Sequence, residues 1–239
     1  MDFTKITACG ECCVGCKKKE DGFCKGCIES YGNCQEWAES GGCPIYKCAK
    51  EHNVRFCGLC NEFPCEWVLK KTVWRPDYAE EHRQLANEFY NQNIRQANES
   101  DVFRIAEILV FNYRLNFYPI FKNDEYYFEE MQVKNIADEI NNPDFLDNTY
   151  VYVDGVIKGF IKISGNEIEK LFVEPVLQGQ GTGRKLLDFA VYNCNADHLW
   201  ALEKNERAIS FYQRNGFAVT GEKKPEEDTD EYLVMMKKA

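Results

Sequence analysis

Leu171–Leu187 reads LFVEPVLQGQGTGRKLL: an apolar run, a glycine-rich turn from Gln178 to Gly183, and an amphipathic stretch opened by Arg184-Lys185. A strand passing through such a turn into a helix aims successive backbone N–H groups at one point, at the positive end of the helix dipole, an arrangement that binds phosphate. Glycines at 179, 181 and 183 let the backbone approach an anion closely and take positive φ. A Walker A loop needs Gly-Lys-Ser/Thr where Arg184-Lys185 stands, and a dinucleotide fingerprint needs Gly at position 184. What remains is QxxGxG between a strand and a helix.

On the N-terminal side, TYVYVDGVIKGFIKISGNEIEKLFV contains three strand-like runs separated by Asp154-Gly155 and Gly165-Asn166, both hairpin signals, and predicts a meander of three antiparallel strands. Upstream of it NIRQA is a short strand, and Ser100 and Asp101 are expected to cap a helix through VFRIAEILVFNYRLNF. On the C-terminal side come the helix GRKLLDFAVYNCN, the strand HLWALEK, the helix ERAISFYQRNG closed by Gly216, and the strands FAVTGE and EYLVMMKK. Gly221–Glu231, GEKKPEEDTDE, is expected to be a solvated hairpin loop.

The turn, Asn205 at the end of the strand after it, Tyr212 and Gly216-Phe217 occur in the order found in GCN5-related N-acetyltransferase (GNAT) domains, and residues 93–239 resemble that family along nearly their whole length. The resemblance implies an α/β fold of the α+β type: a mixed, mostly antiparallel twisted sheet with flanking helices, using acetyl-CoA as acyl donor. It also implies the site. Gln178, Gly179, Gln180, Gly181, Thr182, Gly183 and Arg184 would hold the pyrophosphate of CoA on their amides, with Arg184 or Lys185 adding charge. A bulge in the preceding strand would free an amide near Phe172 or Val173 to polarise the thioester carbonyl. Asn205 would contact the pantetheine arm and Tyr212 would protonate the departing thiolate. Other readings stay open: a core aromatic for Tyr212, a solvated helix start for Arg184 and Lys185, and a helix cap for Asn205.

Strand alternation puts Glu167, Glu169, Leu171 and Val173 on one face, so both glutamates are candidates for the base that deprotonates an amine. Glu167 stands, by its offset from the turn, where histone-acetylating relatives carry a glutamate. His198, like His52 and His82, has no obvious acid or nucleophile partner and reads as a surface histidine, and Cys194 reads as an inert, partly buried thiol. The resemblance implies that FNYRLNFYPIFKNDEYYFEEMQ helps form the acceptor site, and this segment is rich in aromatics and acids, which suits a cationic amine, small molecule or peptide.

Twelve of the 13 cysteines fall between Cys9 and Cys65. They are Cys9, Cys12, Cys13, Cys16, Cys24, Cys27, Cys34, Cys43, Cys48, Cys57, Cys60 and Cys65, many in CxxC pairs, whose turn lets two thiolates reach one metal ion. Residues 1–65 contain only 14 large apolar side chains, among them Phe3, Ile6, Phe23, Trp37, Ile45, Phe56 and Phe63, a thin core that needs staples. This half resembles the cysteine-rich domain of unknown function DUF3795, to which Cys12 is extra and Cys34 a further member. All twelve are candidate ligands for two or three zinc ions, with an iron–sulfur cluster as the alternative.

The expected organisation is a metal-binding domain at 1–70, a helical connector at 71–92, with Asp77–Tyr90 helical, and the acetyltransferase domain at 93–239. A net charge of −10 argues against general nucleic-acid binding. Without an apolar run of about 18 residues or a signal-peptide pattern, the expected place is the cytoplasm, away from membranes. The expected function is acetyl transfer from acetyl-CoA to a primary amine, the zinc-type domain serving stability or acceptor selection. The competing expectation is a metal- or redox-responsive binding protein whose second half is a CoA-binding scaffold.

Overall fold

The computed structural model describes residues 2–33, 39, 41–60, 62–73, 76–227 and 229–238. The readings on Cys34 and Trp37 lie outside the described residues. The chain divides into two compact units, Met1–Phe89 and Tyr90–Ala239.

The first unit is built of short helices, among them α1 (Pro44–Glu51), α2 (Glu66–Lys71) and α3 (Tyr78–Asn91), which reaches the boundary. Pro44 occupies the first helical position of α1, where its missing N–H costs nothing. The stretch read as a connector, α3, supplies much of the unit's core: Tyr78 and His82 stack at 3.9 Å, and Phe56 and Phe3 meet the ring of Phe89 edge-on at 6.1 and 5.2 Å. His82 is 1% exposed, its Nδ1 2.9 Å from Tyr78 O. Phe23, counted from sequence among the core candidates, is 72% exposed.

The second unit is a seven-stranded sheet of order β1-β2-β3-β4-β5-β7-β6. The strands are β1 (Ile94–Gln96), β2 (Thr149–Asp154), β3 (Val156–Ser164), β4 (Glu167–Val173), β5 (His198–Leu202), β6 (Phe217–Pro225) and β7 (Tyr232–Lys238). Only β4 and β5 are parallel, so the architecture is the expected mixed, mostly antiparallel sheet. Helices α4 (Val102–Asn116), α5 (Val133–Ile140) and α6 (Pro143–Asp147) cover one face, packing Ile105, Leu109, Ala137 and Phe145 against Val151 and Phe160. Helices α7 (Thr182–Cys194) and α8 (Glu206–Arg214) cover the other, packing Leu186, Leu187 and Tyr212 against Ile161, Ile168 and Leu199.

Two local readings are corrected. Asp101 is the N-cap residue of α4, as expected, but its side chain makes no cap bond there; Ser100 lies instead in a 3-10 turn, Glu99–Asp101, capped by Asn98, whose side chain accepts from Ser100 N–H while Asp101 accepts from Asn98 N–H. Strand β6 runs on to Pro225, so half of the expected hairpin loop is strand paired to β7 through Lys223, Lys224 and Pro225.

The feature that shapes the site is in β4. Its register on β3 shifts between Lys162↔Lys170 and Ile163↔Ile168, which leaves Glu169 as one extra residue. A bulge of this kind reverses side-chain parity beyond it. Ile168 and Leu171, three apart, therefore pack into the same core cluster on the α7 face, and Leu171 and Val173 do not share the face of Glu167 and Glu169 as plain alternation predicts. The bulge lies three residues before Phe172, earlier than expected. Parallel pairing of β4 with β5 is confined to Glu167↔His198 and Ile168↔Leu199, after which the two strands part.

Candidate functional site

The opened side of β4 carries unpaired amides. Glu174 N–H donates to Lys158 O on β3 at 2.8 Å, and Phe172 lies opposite Phe160. Because N–H groups alternate along a strand, the amide of Phe172 also turns to β3, whereas those of Leu171 and Val173 face the gap left by β5. Of the two amides expected in the cleft, Val173 therefore qualifies and Phe172 does not; Leu171 joins it, unforeseen because the bulge is not legible in the sequence.

The turn between β4 and α7 is set by glycine geometry. Gly179 and Gly181 have φ of 79° and 82°, and Gly181 caps α7 without a side-chain hydrogen bond. The first backbone bond of α7 runs from Lys185 N–H to Gly181 O at 3.1 Å, so the amides of Thr182, Gly183 and Arg184 have no acceptor within the helix. Gly183, unlike Gly179 and Gly181, does not have a positive φ, and a Cβ there would make ordinary contacts, 3.4 Å from the ring of Phe211 and 3.7 Å from Val173 Cγ2. The start of α7, the end of β4 and α8 thus meet at Gly183.

Gln178 latches this turn in place. Its Nε2 donates to Asn112 Oδ1 at 3.0 Å and to Val173 O at 3.1 Å, and its Oε1 accepts from Arg207 at 2.5 Å. Asn112, buried on α4, in turn donates to Ile108 O and Val173 O. Neither Asn112 nor Arg207 stood out in the sequence; a lone Asn inside the apolar run ILVFNY was the only signal. Arg184 is drawn back to Asp188 at 3.6 Å. Lys185 is held at the hydroxyl of Tyr152, 3.1 Å away, and over the rings of Tyr90 and Tyr152, while Arg207 is bonded to Gln178 at the turn.

Asn205 caps α8, its Oδ1 accepting from Ala208 N–H at 3.1 Å. Tyr212 is 8% exposed, its ring 5.1 Å from Phe211 and 5.9 Å from Phe217, and burial pushes its hydroxyl well above the usual range. Burial disfavours the phenolate, so the hydroxyl keeps its proton.

The two glutamates differ. Glu169, displaced by the bulge, is ion-paired with Lys162, a buried residue whose ammonium also lies over the Phe145 ring. Glu167 sits at the closed end of the gap, its Oε2 3.6 Å from His198 Nε2. His198 Nδ1 is 2.6 Å from Asp197 Oδ1, so the reading of His198 as a histidine without an acid partner is overturned. Beside the open end, Tyr113 packs on Phe172 at 5.6 Å. The hydroxyl of Tyr126 is raised by burial and by nearby Tyr113, Glu139, Glu130 and Glu226, the last from the β6–β7 hairpin.

No disulfide joins the described cysteines of the first unit. Gly26 N–H donates to Cys24 Sγ at 3.3 Å. Burial, then the neighbouring Cys65, Cys48 and Cys60, push the Cys57 thiol up to about 12. Among the described residues no group of three or more His, Cys, Asp or Glu side chains stands ready to hold a metal ion.

With this geometry in hand, residues 146–219 match the family model for the acetyltransferase (GNAT) domain, and the chain carries a domain of that class there. The peptidyl-lysine N-acetyltransferase YjaB of Escherichia coli is 38% identical over 63 residues, 26% of this chain and 43% of YjaB, and YjaB of Salmonella typhimurium is 35% identical over the same lengths. The chain spans less than half the length of the curated relatives it matches. Among solved structures, apo-YjaB from Escherichia coli aligns with TM-score 0.49 and 23% identity over 60% of this chain and 95% of that one. The PaiA N-acetyltransferase of Thermoplasma acidophilum in complex with coenzyme A aligns with TM-score 0.46 and 22% identity over 61% and 98%. Among the described residues no helix is long and apolar enough to cross a membrane.

Proposed function

We propose that the protein is a GNAT-type N-acetyltransferase that moves an acetyl group from acetyl-CoA to a primary amine by direct transfer. The observation that carries this reading is the gap between β4 and β5: it opens beyond Ile168↔Leu199, receives the amides of Leu171 and Val173, and lies beside the start of α7, which Gly181 caps without a side-chain hydrogen bond. The amides of Gly179–Arg184, with Arg207, would hold the pyrophosphate of CoA. The Leu171 and Val173 amides would polarise the thioester carbonyl as the amine nitrogen adds to it. Asn205 would meet the pantetheine arm. As the C–S bond breaks, Tyr212 would give its proton to the CoA sulfur, and Glu167 would accept, through water, the proton the amine loses. Roughly 13 Å of strand separates Glu167 from Leu171 at about 3.3 Å per residue, which is why water is needed between them.

An acceptor that is cationic around its reactive amine, such as a lysine side chain in a peptide or a polyamine, suits the Tyr113, Tyr126, Glu130, Glu139 and Glu226 grouping. Calorimetry with acetyl-CoA, and release of CoA thiol in the presence of a lysine-containing peptide, a polyamine or an aminoglycoside, test the reading. Binding and release with at least one amine are expected; the absence of both would overturn it.

Support for zinc comes from the spacing of the first unit's cysteines, many in CxxC pairs, and from an amide already directed at Cys24 sulfur. Bound zinc would cross-link loops that the small apolar core leaves unsupported, to stabilise the unit or to select the acceptor. Elemental analysis after dialysis in metal-free buffer is expected to find two or three zinc ions per chain; iron, or no metal, would sink this part of the proposal.

A further inference from the structure

Three groups stand in line at the closed end of the β4–β5 gap. Asp197 is fixed through its backbone on both sides, N–H to Asn166 O at 2.9 Å and C=O from Lys238 N–H at 2.7 Å. Its Oδ1 accepts from Asn166 Nδ2 at 2.9 Å and from His198 Nδ1 at 2.6 Å. With Nδ1 committed to Asp197, the other ring nitrogen of His198 is turned to Glu167 Oε2 at 3.6 Å. The parallel register seats Glu167 directly beside His198, and both lie on the sheet face opposite the Ile168–Leu199 core pair. The order carboxylate, imidazole, third group is the one in which an acid fixes a histidine tautomer and leaves the far nitrogen ready to take a proton.

We propose that His198, held by Asp197, is a positioning residue for Glu167 and the next proton acceptor beyond it, which makes the closed end of the gap the proton exit of the reaction. The inference rests on the acetyltransferase reading above. The proton lost by the amine reaches the Glu167 carboxylate through water and passes from there to His198 Nε2. The imidazolium so formed faces the Asp197 carboxylate and yields its proton to solvent, so no oxidant or further reactant is required. The other charged groups near the relay are Lys237, opposite His198 on β7 and close to Asp197, and the Lys162–Glu169 pair, whose carboxylate is already engaged.

The rival explanation is a strut that merely ties β4 to β5, and substitution separates the two. With the full chain, acetyl-CoA and a lysine-containing peptide, H198A is expected to lower kcat about 10- to 100-fold with little change in KM for acetyl-CoA. H198Q keeps a donor for Asp197 but cannot carry the proton, so it is expected to be as slow as H198A. The double variant E167Q/H198A is expected to be no slower than E167Q alone, because both act on one proton path. Wild-type kcat in H198Q, or effects of E167Q and H198A that multiply, would overturn the relay while leaving the acetyltransferase reading intact. A wild-type protein that neither binds acetyl-CoA nor releases CoA would overturn that reading, and this inference with it.

Discussion

The first unit gathers its large buried side chains around one helix and a few loops, and leaves Phe23, Tyr31 and Val73 in solvent; the second lays apolar side chains on both faces of a seven-stranded sheet. Burial scales with the number of packed layers, so the sheet unit can be held by hydrophobic burial while the cysteine-rich unit, whose buried side chains include Phe56, Phe63, Val68 and Tyr78, cannot rely on it to the same degree. The contrast teaches where to look for each unit's weakness. If zinc holds the first unit, removing it acts on the scale of about 10 kcal/mol per structural ion, the largest effect expected anywhere in the molecule. A strong chelator should then abolish hydrogen-exchange protection in residues 1–89 and make their thiols react rapidly, while protection in 90–239 persists. Unchanged protection in the first unit would show that its small core suffices and would erase the contrast.

The converse test strikes the sheet. Phe160 is fully buried on the α4 face of β3 and packs on Phe172 at 5.8 Å. Phe160→Ala should destabilise the second unit by about 3–5 kcal/mol, read as a lowered denaturant midpoint with the first unit's exchange pattern unchanged. A loss below about 1 kcal/mol would mean the sheet's stability does not reside in its two-sided packing.

What could be read from the sequence follows from how local each feature is. The turn at Gln178–Gly183, the Asp154-Gly155 and Gly165-Asn166 hairpins and Gly216 are written in contiguous residues whose backbone demands are specific, and the structure has them with positive φ at Gly155, Gly165, Gly179, Gly181 and Gly216. The bulge at Glu169 is not written that way. One added residue in an otherwise regular strand leaves no compositional mark, yet it reverses the faces of Leu171 and Val173 and moves the free amides. The Asp197–His198–Glu167 line was hidden for another reason: Glu167 and His198 are 31 positions apart and meet only through the parallel register. The thiols, Cys34 included, could be counted in advance, but their grouping in space does not follow from spacing alone.

Within the sheet unit, stability and chemistry are expected to separate at Tyr212. Its ring belongs to the α7–α8 core, whereas its hydroxyl, kept protonated by burial, is the proposed proton donor. Tyr212→Phe keeps the ring, so the thermal midpoint should shift little. Its kcat should fall about 10- to 100-fold, the scale of a lost general acid when the leaving group is a thiolate that departs fairly well unaided. A variant that melts early and retains wild-type kcat would assign the hydroxyl to packing alone.

The smallest effect concerns how the sheet unit answers acid. Asp101 is buried at the start of α4, where Arg95 clasps it with bonds of 2.6 and 2.8 Å, and that contact, more than any other, holds its carboxyl below the usual range. A carboxyl depressed in the folded state contributes stability that is present above its unfolded value, about 3.9, and is lost as pH falls through the folded value. Arg95 is half exposed, so solvent screens the pair and the contribution is about 1–2 kcal/mol, less than a fully buried pair would give. Asp101→Asn should therefore lower stability at pH 7 by that amount and flatten the loss of stability below about pH 4 in the second unit. In the first unit the carboxyls of Asp2 and Glu29 are also held low, by Thr4 and Lys19, but at the surface, where salt weakens the Lys19–Glu29 attraction. Urea midpoints followed separately in the two units at pH 7 and pH 3.5, for wild type and Asp101→Asn, measure the difference. An acid response in residues 90–239 that is the same with and without the Asp101 carboxyl would place the acid sensitivity elsewhere in the sheet.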